Sequence, residues 1–181
     1  RIMRINRDIP TFMSEAGVRR TNLRQYIEEE LKKRKIKCRC IRCREPKLNK
    51  ISWEDVKLQK IDYEASKGKE IFLSYEDMKN DFLLGFLRLR IPYKPFRKEI
   101  TERSAGIREV HVYGEAVKIG EESNKIQHKG LGISLIQEAE KIAKEEYDIN
   151  KLLVISGIGV KNYYINKLGY KKDGIYVSKF I

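Results

Sequence analysis

A chain of 181 residues with 39 Lys+Arg against 26 Asp+Glu carries a formal net charge of +13, and 41% of it is hydrophobic. That length supports one α/β core plus an appendage, at roughly 100–200 residues per domain. No apolar run approaches the ~20 residues that span a bilayer and no hydrophobic leader opens the chain, so neither membrane insertion nor secretion is expected, and the expected compartment is the cytoplasm.

The positive charge is concentrated early. Residues 1–50 hold 16 Lys+Arg against 6 Asp+Glu, whereas residues 51–181 hold 23 against 20. Arg4, Arg7, Arg19, Arg20, Arg24, Lys32, Lys33, Arg34, Arg39 and Arg42 form a patch that would draw a polyanion, with affinity falling as salt replaces released counterions. RNA is one reading of that patch; a solvated basic face, or a surface that packs on acidic parts of another domain, is the other. Within it, residues 22–33 read as a helix capped by Thr21 or Asn22, with Leu23, Ile27 and Leu31 as its buried stripe.

All three cysteines, Cys38, Cys40 and Cys43, fall within six residues. Thiols so close converge on one tetrahedral ion more readily than they pair with each other, so a structural zinc is expected, with free thiols as the alternative. A fourth ligand has to come from elsewhere in the fold, from solvent or from another domain, because neither His111 nor His128 is an obvious partner. Pro46 ends the basic segment, and the boundary between a lead-in of residues 1–45 and a domain of residues 46–181 is set there.

Residues 71–75 and 82–90 read as an antiparallel hairpin, its turn running through Glu76, Asp77, Lys79, Asn80 and Asp81. Residues 93–106 and 114–126 are polar and are expected to be surface loops. Between them, residues 107–113 alternate apolar and polar groups as a strand with two different faces, so Glu109 and His111 share one face.

Gln127-His128-Lys129-Gly130-Leu131-Gly132 then spends two glycines immediately before a helix. Such a loop leaves backbone N–H groups pointing outward at the positive end of the helix dipole, where a pyrophosphate can sit; an ordinary glycine-containing turn is the alternative. The helix itself is marked by Leu131, Leu135, Ile136, Ala139, Ile142, Ala143 and Tyr147 at helical spacing. Residues 151–156 fit a buried strand and residues 160–170 a short tyrosine-bearing helix stopped by Gly169.

Strand, glycine loop, helix, strand and short Tyr-Tyr helix in this order resemble the Gcn5-related (GNAT) acetyltransferases. Asn6-Arg7-Asp8-Ile9-Pro10, Asn22-Leu23-Arg24-Gln25, the segment around the three cysteines, Phe72-Leu73-Ser74-Tyr75-Glu76-Asp77, residues 108–114, Gln127-His128-Lys129-Gly130 and Ile155-Ser156-Gly157-Ile158-Gly159 narrow this. Together they resemble the C-terminal part of the Elongator catalytic subunit family, the tRNA wobble-uridine (U34) acetyltransferases that form carboxymethyl-type modifications at C5. The many Lys, Ile and Glu residues fit a heat-adapted, archaeal member.

The resemblance implies an α/β (α+β) GNAT-type fold, a central mixed sheet flanked by helices, behind a basic helical lead-in. It implies acetyl-CoA as cofactor, held by backbone around Glu109, Val110, His111 and Val112, with Gln127, His128, Lys129, Gly130, Leu131, Gly132 and Ile133 on the pyrophosphate. Tyr164, or second Tyr163, would donate a proton to the departing sulfur, and Glu109 and His111 could titrate beside the thioester. Implied partners are tRNA, a radical-SAM domain, and accessory Elongator-type subunits or self-association. Family members carry S-adenosylmethionine and an iron–sulfur cluster on that N-terminal barrel. Nothing here corresponds to the barrel and the chain opens on Arg1-Ile2-Met3, so it reads as a fragment expected neither to hold those groups nor to complete the modification. Protein lysine or small-amine N-acetylation, and an RNA-binding or assembly module with an idle cofactor pocket, stand as alternatives.

Overall fold

The computed structural model describes residues 2–3, 10–13, 15–17, 21–114 and 130–181, and divides into two units, residues 1–45 and 46–181.

The first unit contains α1 (Leu23–Lys33) and a 3-10 turn at Ile41–Arg44 that carries Cys43. Asn22 starts α1, but in a left-handed conformation (φ 65°) and without a side-chain cap. A capping side chain reaches the first-turn amides from extended backbone, so the expected cap gives way to the Asn22 carbonyl, which accepts from Gln25 N–H at 2.9 Å. Leu23, Ile27 and Leu31 are only half-buried and no residue of α1 is fully buried, a correction to the expected stripe. So short a segment has too little chain to wrap a helix.

The second unit is a seven-stranded mixed sheet: β1 (Val56–Ala65), β2 (Gly68–Asp77), β3 (Phe82–Ile91), β4 (Ser104–Val112), β5 (Lys151–Val154), β6 (Lys171–Asp173) and β7 (Tyr176–Phe180), in the order β1-β2-β3-β4-β5-β7-β6. The first four strands run as an antiparallel meander. After β4 the chain crosses through α2 (Leu131–Tyr147) to place β5 parallel to β4, and α3 (Lys161–Leu168) precedes the terminal β6–β7 hairpin.

Helix α2 lies across β2, β3 and β4. The residues that gave its helical spacing, Leu131, Leu135, Ile136, Ala139, Ile142 and Ala143, are those that are buried. All of them but Leu131 meet Ile71, Leu73, Leu87, Leu89, Ala105, Ile107, Leu152 and Val154 in one core. Each Leu, Ile or Val side chain among them withdrawn from water contributes about 1.5–3 kcal/mol, enough to fix α2 on that face.

Four boundaries differ from expectation, the first at the hairpin turn, where Glu76 and Asp77 belong to strand β2 and pair with Leu83 and Phe82. Ser104, Ala105 and Gly106, read as loop, are strand, because the first two are wholly buried and all three pair with β5. The strand read as 151–156 stops at Val154, and the last helix is shorter, Lys161–Leu168 behind a 3-10 turn at Ile158–Val160, ending at Gly169 with φ 73°.

Candidate coenzyme and acetyl-transfer site

The site begins as a failure of two strands to stay together. β4 and β5 share only four pairs, Ser104↔Lys151 to Ile107↔Val154. Beyond Ile107, β4 continues for five residues against β3, while β5 has ended, so residues 108–112 border a wedge. A register shift at Arg88/Leu89, where Arg108 is the extra residue, falls at the point of divergence. A bulge adds local twist and bends the strand that carries it, which turns the end of β4 away from β5.

Inside the wedge is a cavity of about 210 Å³ bordered by Arg108, Glu109, Val110, Ser156, Gly157 and Tyr164. The Ser156 hydroxyl is buried with no hydrogen-bond partner among the described residues. A buried hydroxyl without a partner is unfavourable by about 1–3 kcal/mol, which marks a place where a polar ligand group would be accepted.

At the far end of β4, the first turn of α2 comes alongside. A Cβ built on Gly132 would lie 3.5 Å from Val112 Cγ2, so helix start and strand end touch there. Gly130 stands at the N-cap in a left-handed conformation (φ 70°), which glycine adopts without strain. Leu131 is buried, and Gly132 and Ile133 are half-buried. The amides of the first turn have no intrahelical acceptors. Gln127, His128 and Lys129 lie outside the described residues.

The proposed catalytic side chains are separated by their surroundings. Tyr164 is buried, with its ring edge-on to Tyr170 at 5.6 Å and to Tyr163 at 5.9 Å. Burial, and secondarily Tyr163, pushes the Tyr164 hydroxyl above its ordinary value, so it keeps its proton at neutral pH. Tyr163 is half-buried and is raised by burial alone. Only Tyr164 of the two borders the wedge cavity.

Glu109 and His111 do share a face of β4. Arg88 Nη1 donates to Glu109 Oε2 at 3.4 Å, in a network centred on Glu70, whose carboxylate also accepts from Arg88 at 2.9 Å, Arg108 at 2.7 Å and the Tyr63 hydroxyl at 3.0 Å. His111 is exposed on one side and its ring stacks on Phe86 at 6.0 Å and leans on Tyr113 at 4.5 Å.

In the first unit the three cysteine sulfurs lie within 4.8 Å of one another. Burial pushes the Cys40 thiol up, but hydrogen bonds from Cys43 and Cys38 outweigh it and lower it overall, whereas burial and the neighbouring sulfurs push Cys43 up to about 12. Three sulfurs close enough to converge, one of them with its thiol value lowered, are a donor set that fits a thiophilic ion such as zinc.

The basic residues of that unit are partly engaged. Arg24 pairs with Glu28 at 2.6 Å on α1, Arg34, just past its end, with Glu30 at 2.7 Å, and Lys33 stands 3.9 Å from Glu30. These pairs fix the side chains without altering the positive excess of the segment. Arg4, Arg7, Arg19 and Arg20 lie outside the described residues. The unpartnered Ser156 hydroxyl and the bulge at Arg108 were not singled out from the sequence, although both residues lie in strings that carry the resemblance, because neither burial nor register is visible there.

A mixed sheet split between β4 and β5, with a helix start at the mouth of the split, defines an α/β fold of the GNAT acetyltransferase type. No family model matches the chain. Relatives are nonetheless plain: tRNA uridine(34) acetyltransferase of Methanocaldococcus jannaschii is 49% identical over the whole of this chain, and Elongator complex protein 3 of Saccharomyces cerevisiae is 46% identical, again over all of it. The solved structure of archaeal Methanocaldococcus infernus Elp3 with an N-terminal deletion superimposes over 98% of the chain with a TM-score of 0.82 at 46% identity, and the chain covers 43% of that structure. The chain spans about a third of the length of the curated relatives it matches, 35% and 34% for the two named. It belongs to the Elongator complex protein 3 family, corresponding to the C-terminal part of its members.

Proposed function

We propose that residues 46–181 are the acetyl-CoA-binding domain of an enzyme that modifies C5 of the wobble uridine of tRNA, and that residues 1–45 are a zinc-bearing basic segment joining it to a radical-SAM domain. The observation that carries the reading is the wedge between β4 and β5 with the start of α2 at its mouth. A kinship running the full length of the chain supports the substrate class.

Acetyl-CoA, when bound, supplies an acetyl group as a reactive thioester. The edge of β4 at Glu109, Val110, His111 and Val112 orients the acyl and pantetheine arm, and Ser156 accepts or donates the hydrogen bond it lacks. Amides of Gly130, Leu131, Gly132 and Ile133, with Gln127, His128 and Lys129, hold the diphosphate at the positive end of the helix dipole. Tyr164 holds a proton on Oη at neutral pH and is the group that returns it to sulfur. Cys38, Cys40 and Cys43 hold zinc, and Arg4, Arg7, Arg19, Arg20, Arg24, Lys32, Lys33, Arg34, Arg39 and Arg42 attract the tRNA backbone. S-adenosylmethionine and the iron–sulfur cluster belong to the radical-SAM domain, and the whole acts in the cytoplasm, with accessory subunits or a second copy as further partners.

Calorimetric titration with acetyl-CoA tests the central claim. The chain is expected to bind it, and Gly132→Trp, which drives an indole against Val112 at the mouth of the wedge, is expected to weaken binding at least tenfold. A wild-type chain that takes up no acetyl-CoA, or a variant that binds it equally well, overturns the reading.

A further inference from the structure

A second cavity, of about 540 Å³, opens on the sheet face away from α2. Strand alternation sends Arg90, Leu153 and Tyr176 to that side because their neighbours Leu89, Val154 and Val177 pack in the core with α2. Its volume is within the ~300–1,000 Å³ of small-molecule sites. It communicates with the wedge, for Ile107, Arg108 and Ile155 border both cavities.

The lining has an unusual composition. Arg90, Lys94, Arg97 and Arg108 supply four cations, and among the described residues no carboxylate lines the cavity. The carboxylates that partner three of them are set outside it: Glu70 receives Arg108 and Arg90, and Glu99 receives Arg97. Arg97 holds its guanidinium 5.7 Å from the centre of the Tyr176 ring, and its Nε is buried with no hydrogen-bond partner among the described residues. Phe96, 94% exposed, leaves a whole ring in water at the rim.

Cations interleaved with aromatic rings suit a ligand that is flat, polarisable and negatively charged. A lysine or polyamine acceptor would instead meet cationic side chains and, among the described residues, no lining carboxylate. We infer that this cavity binds one nucleotide of an RNA, its base stacked against Phe96 and Tyr176 and its phosphate held by Lys94, Arg97 and Arg108. The shared border at Ile107, Arg108 and Ile155 directs the base toward the wedge. The role of the cavity as an acceptor site rests on the coenzyme reading above; its affinity for a nucleotide does not.

Uridine monophosphate titrated into the full chain, followed by the aromatic resonances of Phe96 and Tyr176, measures this without involving the polyanion affinity of residues 1–45. Saturable shifts are expected with the nucleotide, and none of that size with inorganic phosphate or spermidine. Phe96→Ala and Lys94→Glu alter exposed side chains and leave the fold intact; each is expected to weaken nucleotide binding about tenfold while acetyl-CoA affinity stays at the wild-type value. Wild-type nucleotide affinity in both variants, or ring shifts produced by spermidine and not by the nucleotide, overturns the inference. Nucleotide binding that depends on Phe96 in a chain unable to take acetyl-CoA sinks the coenzyme reading and leaves this one standing.

Discussion

Tyr75 Oη and Ser134 Oγ lie 2.7 Å apart, a hydrogen bond that fastens the first turn of α2 to strand β2. The helix start proposed to meet the diphosphate is therefore held at a fixed height over the sheet by a side chain two strands away from β4. Tyr75→Phe keeps the ring and removes the tether. It is expected to lower stability by about 1 kcal/mol, as loss of one such bond does, and to weaken acetyl-CoA binding severalfold. Paired chemical denaturation and calorimetry read both, and an unchanged coenzyme affinity would show that the tether is purely structural.

Glu70 anchors a cluster of arginines at the centre of the sheet. Burial alone would raise its carboxyl, but donors from Arg88, Arg108 and Tyr63 outweigh burial and hold it below its ordinary 4.5. A depressed folded value means that this carboxylate stabilises the fold above the unfolded value and loses that contribution as pH falls through the folded one. Acid unfolding should thus steepen below about pH 4.5. Glu70→Gln is expected to flatten that dependence and to reduce stability at neutral pH by roughly 3 kcal/mol, because Arg88 keeps its charge at a site where its side chain is only 15% exposed. Urea titrations at pH 7 and pH 4 measure both effects.

Tyr164→Phe deletes the hydroxyl of the tyrosine that borders the wedge while keeping the ring contacts to Tyr163 and Tyr170. Acetyl-CoA affinity should remain near wild type. Acetyl transfer in the complete enzyme, or slow thioester hydrolysis by this chain, should fall about 10²-fold or more if the proton on Oη is used. Equal losses on Tyr163→Phe would move the role to its neighbour.

The cysteine cluster makes a separable prediction. Metal analysis of protein purified without chelator should find zinc bound to residues 1–45, released when the thiols are blocked. Cys40→Ser should abolish retention, since Cys40 is the sulfur that receives hydrogen bonds from the other two. Zinc content unchanged in Cys40→Ser would exclude this site.

Much of the crossover from β4 through α3 was legible from spacing alone, because α2 buries one face and β5 is buried throughout, and both leave an apolar pattern. The hairpin of β2 and β3 was legible for the same reason. Strand β1 was not: as an edge strand it mixes exposed and half-buried positions without regular alternation, and its turn into β2 uses Ser66 and Lys67 at positive φ where Asn or Gly would have signalled it. The β6–β7 hairpin is too short for periodicity, although Asp173-Gly174 is a turn signal. The cysteine cluster was visible because its ligands are neighbours in sequence. The cationic cavity was not, since its lining is gathered from β3, the loop after it, β4, β5 and β7, and no local pattern encodes that meeting.

Among the described residues, the four pairs between β4 and β5 are the whole of the backbone ladder between the meander and the C-terminal hairpin strands. The sheet consequently has a seam of four residue pairs at the base of the wedge. A ligand seated in that wedge bridges the seam, so its arrival should be felt as slowed amide exchange along Lys151–Val154 and the paired stretch of β4, beyond Ile107 and Val154, which border the cavity.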